Sequence, residues 1–265
     1  MYSLTAGTWR LRSVTDWLFM FVPTTAAIGS AFGSTMVAGI SLYPFKVLTL
    51  VLTCVALSQH RRVPRAAAPI VALALCLASW ALISVAWSPA GPKALQEATI
   101  FVFLVALLLL CVTSIGTNWF ASFIVGWPLA IFFTSVVSLW ELLTGTHLKS
   151  DFVSKTSVVG DEILSTFANP NNYGAFLALA MAVCLTSSTM TSIFGRGVRR
   201  VMFAAIVAAL VMLPLTASRF AVLGVVAGAL TFAVLGLRSR RGQRFLLSLV
   251  VLSVPASIVV LHSSP

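Results

Sequence analysis

Ser218 and Arg219 are the neighbouring residues of this sequence best suited to holding a phosphate group. Arg219 is the only charged residue between positions 201 and 237. A charge in or near lipid is costly, so it calls for a function or a partner. A planar guanidinium can donate two parallel hydrogen bonds to anionic oxygens, and the Ser218 hydroxyl adds a donor. We predict phosphate binding; the alternative is that Arg219 snorkels to the membrane interface or pairs with Glu141 or Asp161.

A second polar motif, F-A-N-P-N-N-Y-G, occupies residues 167–174. Asn169 and Pro170 favour a turn. Asn171 or Asn172 is suited to capping the helix that follows, and capping alone would explain the motif. The same arrangement would turn the positive end of a helix dipole toward the outer membrane face, where an anion on a lipid can sit. These four residues are therefore predicted either to cap a helix or to shape a site.

Histidine and cysteine give no recognisable catalytic or metal site. His60 lies among arginines, His147 in a loop and His262 at the end of the last apolar stretch, which argues against an intramembrane serine protease. Metalloprotease, P-loop and dinucleotide-binding motifs are missing from the sequence. We predict no metal and no cofactor, and the catalytic residues stay unknown. Four isolated cysteines are expected to be small buried hydrophobic residues: Cys54, Cys76, Cys111 and Cys184.

The composition indicates that most of the protein surface faces lipid. Of the 265 residues, 59% are hydrophobic and 9% are charged, a balance that a water-soluble surface does not tolerate. We predict an all-α, polytopic bundle of about nine transmembrane helices in a single domain, residues 1–265. The predicted spans are 15–40, 43–58, 67–87, 96–114, 119–144, 173–192, 201–217, 220–237 and 245–262. Lys46, in the short second span, is expected to snorkel toward the interface.

The seventh and eighth predicted spans are expected to form a hairpin. A single helix over residues 201–237 would be roughly 55 Å long, nearly twice the thickness of the hydrocarbon core. Pro214 and Ser218 lie where such a helix must break, so we predict a tight outer turn at about 214–219. A longer loop, at about 145–172, is also predicted on the outer side.

Positive charge sets the predicted orientation. The net charge is +11, and the nine spans place twelve of the 17 Lys and Arg residues on one side and four on the other, with Lys46 set aside. The richer side is predicted to be the cytoplasm, together with the N-terminus. Basic clusters beside anionic lipid headgroups explain this charge without a nucleic-acid partner. The twelve are Arg10, Arg12, Arg61, Arg62, Arg65, Arg196, Arg199, Arg200, Arg238, Arg240, Arg241 and Arg244.

The order and spacing of the two outer motifs resemble the O-antigen ligase and O-antigen polymerase superfamily of bacterial envelope proteins. Residues 167–172 resemble its F-x-N-P-N stretch, which opens a helix after an outer loop. Residues 216–219, T-A-S-R, resemble its T-x-S-R hairpin one helix pair later. The segment 80–89, which ends W-S-P, also fits. The resemblance covers most of the chain, from about residue 40 to residue 240.

This resemblance implies a metal-independent membrane glycosyltransferase of the bacterial plasma membrane. The donor would be a glycan on undecaprenyl diphosphate, and the acceptor a hydroxyl of a glycan, a lipid or a cell-wall polymer. Arg219 corresponds to an arginine that holds the diphosphate, where a fixed cation stabilises the charge of the leaving group. Members usually continue into a large outer loop with a catalytic histidine, so the chain is expected to be a fragment or a shortened member.

The sequence is also compatible with two other functions. A flippase or transporter of lipid-linked glycan would also need cations for a diphosphate headgroup, although helix cores almost free of charge disfavour a small-solute transporter. A non-catalytic subunit of envelope polysaccharide assembly would bind the same lipid-linked glycan without transferring it.

Overall fold

The structure is a computed structural model and is predominantly α-helical. It describes residues 11, 13–29, 35–37, 40–59, 63–89, 91–115, 117–148, 163–167, 170–219, 221–226 and 228. The helices are α1 (Val14–Ile28), α2 (Pro44–Ser58), α3 (Ala68–Ser84), α4 (Gly91–Ser114), α5 (Asn118–Thr144), α6 (Pro170–Ser188) and α7 (Arg196–Leu215). Two short strands, β1 (Thr35–Val37) and β2 (Ile40–Leu42), form an antiparallel pair. Contacts divide the chain into two units within α5, after Gly126, and each unit is described by itself.

Four helical segments are long and apolar enough to cross a membrane. They are Arg65–Trp87, Lys93–Ser114, Asn118–Thr144 and Arg196–Leu215. The predicted membrane-helix character is therefore supported over a large part of the described chain. The eighth predicted span is described only at residues 221–226 and 228, and the ninth, 245–262, lies outside the described residues. The total of nine helices and the side of the N-terminus stay predictions.

The first predicted span, 15–40, is wrong in its second half. Helix α1 ends at Ile28, and Gly29 follows with φ +56° and donates its N–H to Thr25 O at 3.1 Å. Glycine adopts this backbone conformation at little cost and commonly ends helices. The chain then enters the β1–β2 pair, whose register sets Val37 opposite Ile40. Average hydropathy cannot detect such an end, because an apolar strand and an apolar helix score alike.

In the first unit, α1, α2, α4 and the start of α5 share a core. Phe19 of α1 stacks on Trp119 of α5 with ring centroids 4.7 Å apart, and Leu52 and Leu110 are buried beside them. Asp16 completes a capping box with Ser13 and also accepts a hydrogen bond from Asn118 Nδ2 at 3.0 Å. Its carboxylate therefore fixes the beginnings of α1 and α5 together.

Lys46 lies in the first turn of α2 and packs against aromatic rings. Its side chain is buried, and Nζ lies 4.8 Å from the ring centroid of Tyr43 and 5.1 Å from that of Phe103. Two aromatic faces attract the ammonium group electrostatically. These contacts hold the amine beside two rings in the first turn of α2, and its snorkelling to the membrane interface stays a prediction.

The prediction of buried cysteines holds for Cys184 and fails for two others. Cys54 and Cys76 are exposed on the surface of the chain, and Cys111 is intermediate. Apolar sequence surroundings do not distinguish a core position from a lipid-facing one, because both are hydrophobic in a membrane helix. The helix face that each cysteine occupies decides its burial.

Candidate functional site

The candidate site forms around a chain reversal between Leu215 and Arg219. Helix α7 ends at Leu215, and Thr216 bonds its hydroxyl back to Leu213 O at 2.8 Å. Ala217 has φ +49°, a conformation that breaks the helical path. Ser218 then starts a new helix, because its Oγ accepts the N–H of Ala221 at 3.3 Å and its carbonyl accepts the N–H of residue 222 at 3.2 Å.

The new helix runs in the same direction as α6 and opposite to α7. A Cβ on Gly174 of α6 would contact Ala221 of the new helix. One turn further along both helices, a Cβ on Gly224 would lie 3.8 Å from Ala178 Cβ. The end of α7 lies beside the segment before α6, because Ile163 N–H donates to Leu215 O at 3.3 Å. The chain therefore turns back between Leu215 and Arg219; the outer location of this turn stays a prediction.

This reversal places Arg219 far from the basic cluster at the start of α7. That cluster contains Arg196, Arg199 and Arg200, and α7 has 20 residues, which corresponds to a length of about 30 Å. If α7 crosses the membrane, Arg219 and the cluster lie at opposite faces. The side of the membrane on which Arg219 lies stays a prediction.

The two sequence motifs meet at Gly174 and Ser218. A Cβ added to Gly174 would lie 2.8 Å from Ser218 Cβ and 2.7 Å from Ala221 Cβ, so only glycine allows this approach. The start of α6 thus packs directly on the start of the helix after the turn. The N-termini of two helices lie side by side, and both carry partial positive charge.

Arg219 occupies the first position of the new helix with its side chain exposed. Among the described residues, the Glu141 carboxylate lies 3.3 Å from His147 Nδ1 and forms no ion pair with Arg219, so the predicted alternative of a Glu141–Arg219 pair is wrong; Asp161 lies outside the described residues. A cation in the first helical turn adds to the positive dipole end instead of compensating it. The exposed guanidinium and the two helix N-termini therefore add positive charge at the same end of the unit.

The Asn-Pro motif is only partly as predicted. Helix α6 begins at Pro170, a first helical position that proline favours. Asn171 and Asn172 therefore lie inside the first turn and do not cap it; both are exposed. Asn169 lies outside the described residues. Ser218, predicted to donate to phosphate, is buried, and its oxygen caps the helix that begins with Arg219.

Glu141 is a central residue whose partners the sequence does not identify. Its carboxylate is buried; Oε2 accepts the backbone N–H groups of Leu164 and Ser165 at 3.0 and 2.6 Å, and Oε1 lies 3.3 Å from His147 Nδ1. Ser165, with φ +54°, donates its hydroxyl to Thr134 O at 2.8 Å. These bonds fix the segment 163–167, which leads into α6 and contacts Leu215.

A buried tyrosine anchors the start of α6 from the other side. Tyr173 is fully buried, and its hydroxyl accepts a hydrogen bond from Ser138 at 2.9 Å. Its ring stacks on that of Phe167, with centroids 5.6 Å apart. The segment 163–167 and the first turn of α6 are therefore attached to the same stretch of α5. The sequence contains a pattern that could have predicted this contact, because the spacing of Thr134, Ser138 and Glu141 places all three on one face of α5.

Comparison of the chain with family models, curated proteins and solved structures finds no match. Within the described ranges, no cluster of three or more His, Cys, Asp or Glu side chains could hold a metal ion.

Proposed function

We propose that the chain is an O-antigen ligase-like glycosyltransferase of the bacterial plasma membrane. It would move a glycan from undecaprenyl diphosphate to an acceptor hydroxyl on the extracytoplasmic face. The observation that carries the proposal is the contact of Gly174 with Ser218. Gly174 follows the 167–172 motif by two residues, so the contact brings the end of this motif close to the T-A-S-R motif, beside the exposed Arg219.

Arg219 would hold the diphosphate of the donor. The bond that breaks joins the anomeric carbon of the sugar to the terminal phosphate oxygen, so negative charge grows on that oxygen. A guanidinium and two helix N-termini at the same place stabilise this charge more than they stabilise the ground state. Ser218, which caps the helix and is buried, would position Arg219.

The pair Glu141–His147 fits the role of general base. A base is effective when a third group orients it, and here a buried carboxylate lies against Nδ1 of a partly exposed histidine. With its proton on Nδ1, the ring presents Nε2 as an acceptor on the side away from Glu141. The acceptor oxygen would attack the anomeric carbon as its proton passes to Nε2, and the diphosphate would leave with the electron pair.

The link between base and cation runs through the segment 163–167. Glu141 binds the backbone of Leu164 and Ser165, and the neighbouring Ile163 binds Leu215, four residues before Arg219. Through these hydrogen bonds the proposed base and the proposed cation are both connected to the segment 163–167.

The test measures glycan attachment or extension in a strain that depends on this gene. Arg219→Ala should reduce transfer by about 100-fold or more, as removal of a charge-stabilising donor does. Arg219→Lys should recover only part of it, because an ammonium lacks the planar fork. Arg200→Ala, which removes an exposed arginine at the other end of α7, is the matched control and should leave transfer unchanged.

A second substitution separates transfer from transport. His147→Gln should reduce glycan transfer by about 100-fold while the lipid-linked donor still binds. A flippase or a non-catalytic binding subunit would depend on Arg219 and tolerate His147→Gln. Normal surface glycan in both Arg219→Ala and His147→Gln cells would rule out the proposal.

A further inference from the structure

The start of α7 carries positive charge that no described residue neutralises. Arg196, Arg199 and Arg200 occupy its first two turns, and no acidic residue lies in the first turn. None of the three arginines forms an ion pair within the described ranges. Glu141, the one acidic side chain described in the second unit, is bound to His147 and to the segment 163–167. This cluster therefore favours an anion from outside the chain.

The backbone at the start of α7 is also open to an anion. Gly195 occupies the N-cap position, so no side chain accepts hydrogen bonds from the first N–H groups of the helix. A Cβ on Gly195 or Gly197 would meet no atom within 4 Å, which leaves space around these groups. Arg199 is partly exposed, and its buried Nε has no hydrogen-bond partner among the described residues. Since buried polar atoms are normally bonded, the chain itself leaves this guanidinium incompletely satisfied.

Exposed apolar side chains continue the face of α7 that carries Arg196 and Arg199. Phe203, Val207 and Val211 follow at helical spacing and are 42%, 57% and 58% exposed. The candidate span begins at Arg196, so in a bilayer the arginines would lie at the level of the headgroups and the apolar side chains along the hydrocarbon. From the helix start inward, this face presents cations first and an apolar surface afterwards. An anionic phospholipid has the matching order, from its phosphate to its acyl chains.

We propose that this face of α7 binds one phospholipid whose headgroup is a phosphate monoester, as in phosphatidic acid. Arg196 and Arg199 would donate to the terminal phosphate oxygens, and an acyl chain would lie along Phe203, Val207 and Val211. A monoester carries about −1.5 to −2 charges near neutral pH and has three terminal oxygens. A diester such as phosphatidylglycerol carries a single charge and has fewer free oxygens, so it accepts fewer of the arginine donors. An ethanolamine headgroup would add an ammonium group beside the arginines, which repel it. This inference does not depend on the proposed glycosyl transfer.

The experiment is native mass spectrometry of the full purified chain after exchange into detergent. Phosphatidic acid, phosphatidylglycerol and phosphatidylethanolamine with identical acyl chains are added in separate titrations. The wild type should retain phosphatidic acid about threefold more than phosphatidylglycerol, the scale of one exposed ion pair, and phosphatidylethanolamine least. Arg196→Gln and Arg199→Gln should each lower the retention of phosphatidic acid about threefold. Arg65→Gln, which removes an exposed arginine at the start of another candidate span, is the matched control and should behave as the wild type does.

Two further arms separate a lipid site from a site for phosphate alone. Phe203→Ala removes an exposed ring without changing charge and should lower the retention of all three lipids, whereas Phe101→Ala, which removes a similarly exposed ring from α4, should not. Helical circular dichroism shows that both variants are folded. Inorganic phosphate has no acyl chain and should not displace phosphatidic acid at equal concentration. Displacement by inorganic phosphate, equal retention of phosphatidic acid and phosphatidylglycerol by the wild type, or unchanged retention in both arginine variants would overturn the assignment.

Discussion

Gly174 and Ser218 approach so closely that the start of α6 has no space for a side chain there. A Cβ on Gly174 would come within 2.8 Å of Ser218 Cβ and within 3.1 Å of Ser218 Oγ. Carbon atoms in folded proteins do not pack at such distances. The contact holds the turn before Arg219 against α6, so the position of the guanidinium depends on a residue that carries no functional group.

Gly174→Ala should destabilise the protein by about 1–3 kcal/mol, the usual effect of an extra methyl group in a packed core. The neighbouring atoms belong to Ser218 and Ala221 and cannot rotate away. The measurement is thermal unfolding in detergent. Gly197→Ala is the control, because no atom lies within 4 Å of its added Cβ, and it should be neutral or slightly stabilising. Equal melting temperatures for the two variants would contradict the described contact.

Glu141→Ala should lower the free energy of unfolding by about 2–5 kcal/mol, because it leaves the buried N–H groups of Leu164 and Ser165 without an acceptor. Glu141→Gln should cost less, since its amide oxygen can still accept both bonds. Thermal unfolding of both variants tests this order. Glu97→Ala, which removes an exposed carboxylate, should change stability by less than about 0.5 kcal/mol. If Glu141→Ala is as mild as Glu97→Ala, the carboxylate does not hold the segment 163–167.

Tyr173→Phe and Ser138→Ala should each cost about 1 kcal/mol, because each removes one partner of a buried hydrogen bond. The double variant should cost less than the sum of the two, since the second substitution removes a bond that is already broken. A double-mutant cycle of unfolding free energies measures the difference. Strict additivity would mean that the two hydroxyls do not interact.

Residues at the two ends of the α6–α7 pair should lie on opposite faces of the membrane. Asn172→Cys should react in intact cells with an impermeant maleimide, and Arg200→Cys should react only after lysis; both positions are exposed. The background chain has its four native cysteines replaced, since Cys54 and Cys76 are also exposed. Labelling of Arg200→Cys in intact cells would invert the orientation, place Arg219 in the cytoplasm and exclude the proposed function.

The reversal near residue 216 could be predicted because its causes are local. A continuous helix of 37 residues would be too long for the bilayer, and proline with small hydroxyl residues marks the break. The end of α1 is harder to predict from the sequence. Gly29 ends that helix through its backbone conformation, and glycine is also common inside membrane helices.

The arrangement around Glu141 could not be predicted from local pattern. Its partners Leu164 and Ser165 are 23 and 24 positions away, and the intervening loop has no periodicity that fixes where it returns. The sequence identifies Glu141 only as a carboxylate near a membrane face with several possible partners. Glu141 contacts His147 and not Arg219 because of the path of the backbone, which residue types alone do not specify.

At the beginning of a helix, Arg219 lowers the stability of the helix but favours the binding of an anion. Helix formation favours an acidic side chain in the first turn by about 0.3–1 kcal/mol and disfavours a basic one. Arg219→Glu should therefore make the empty protein more resistant to heat while it repels any phosphate. If Arg219 binds a phosphate, the bound counter-ion offsets this unfavourable interaction with the helix dipole.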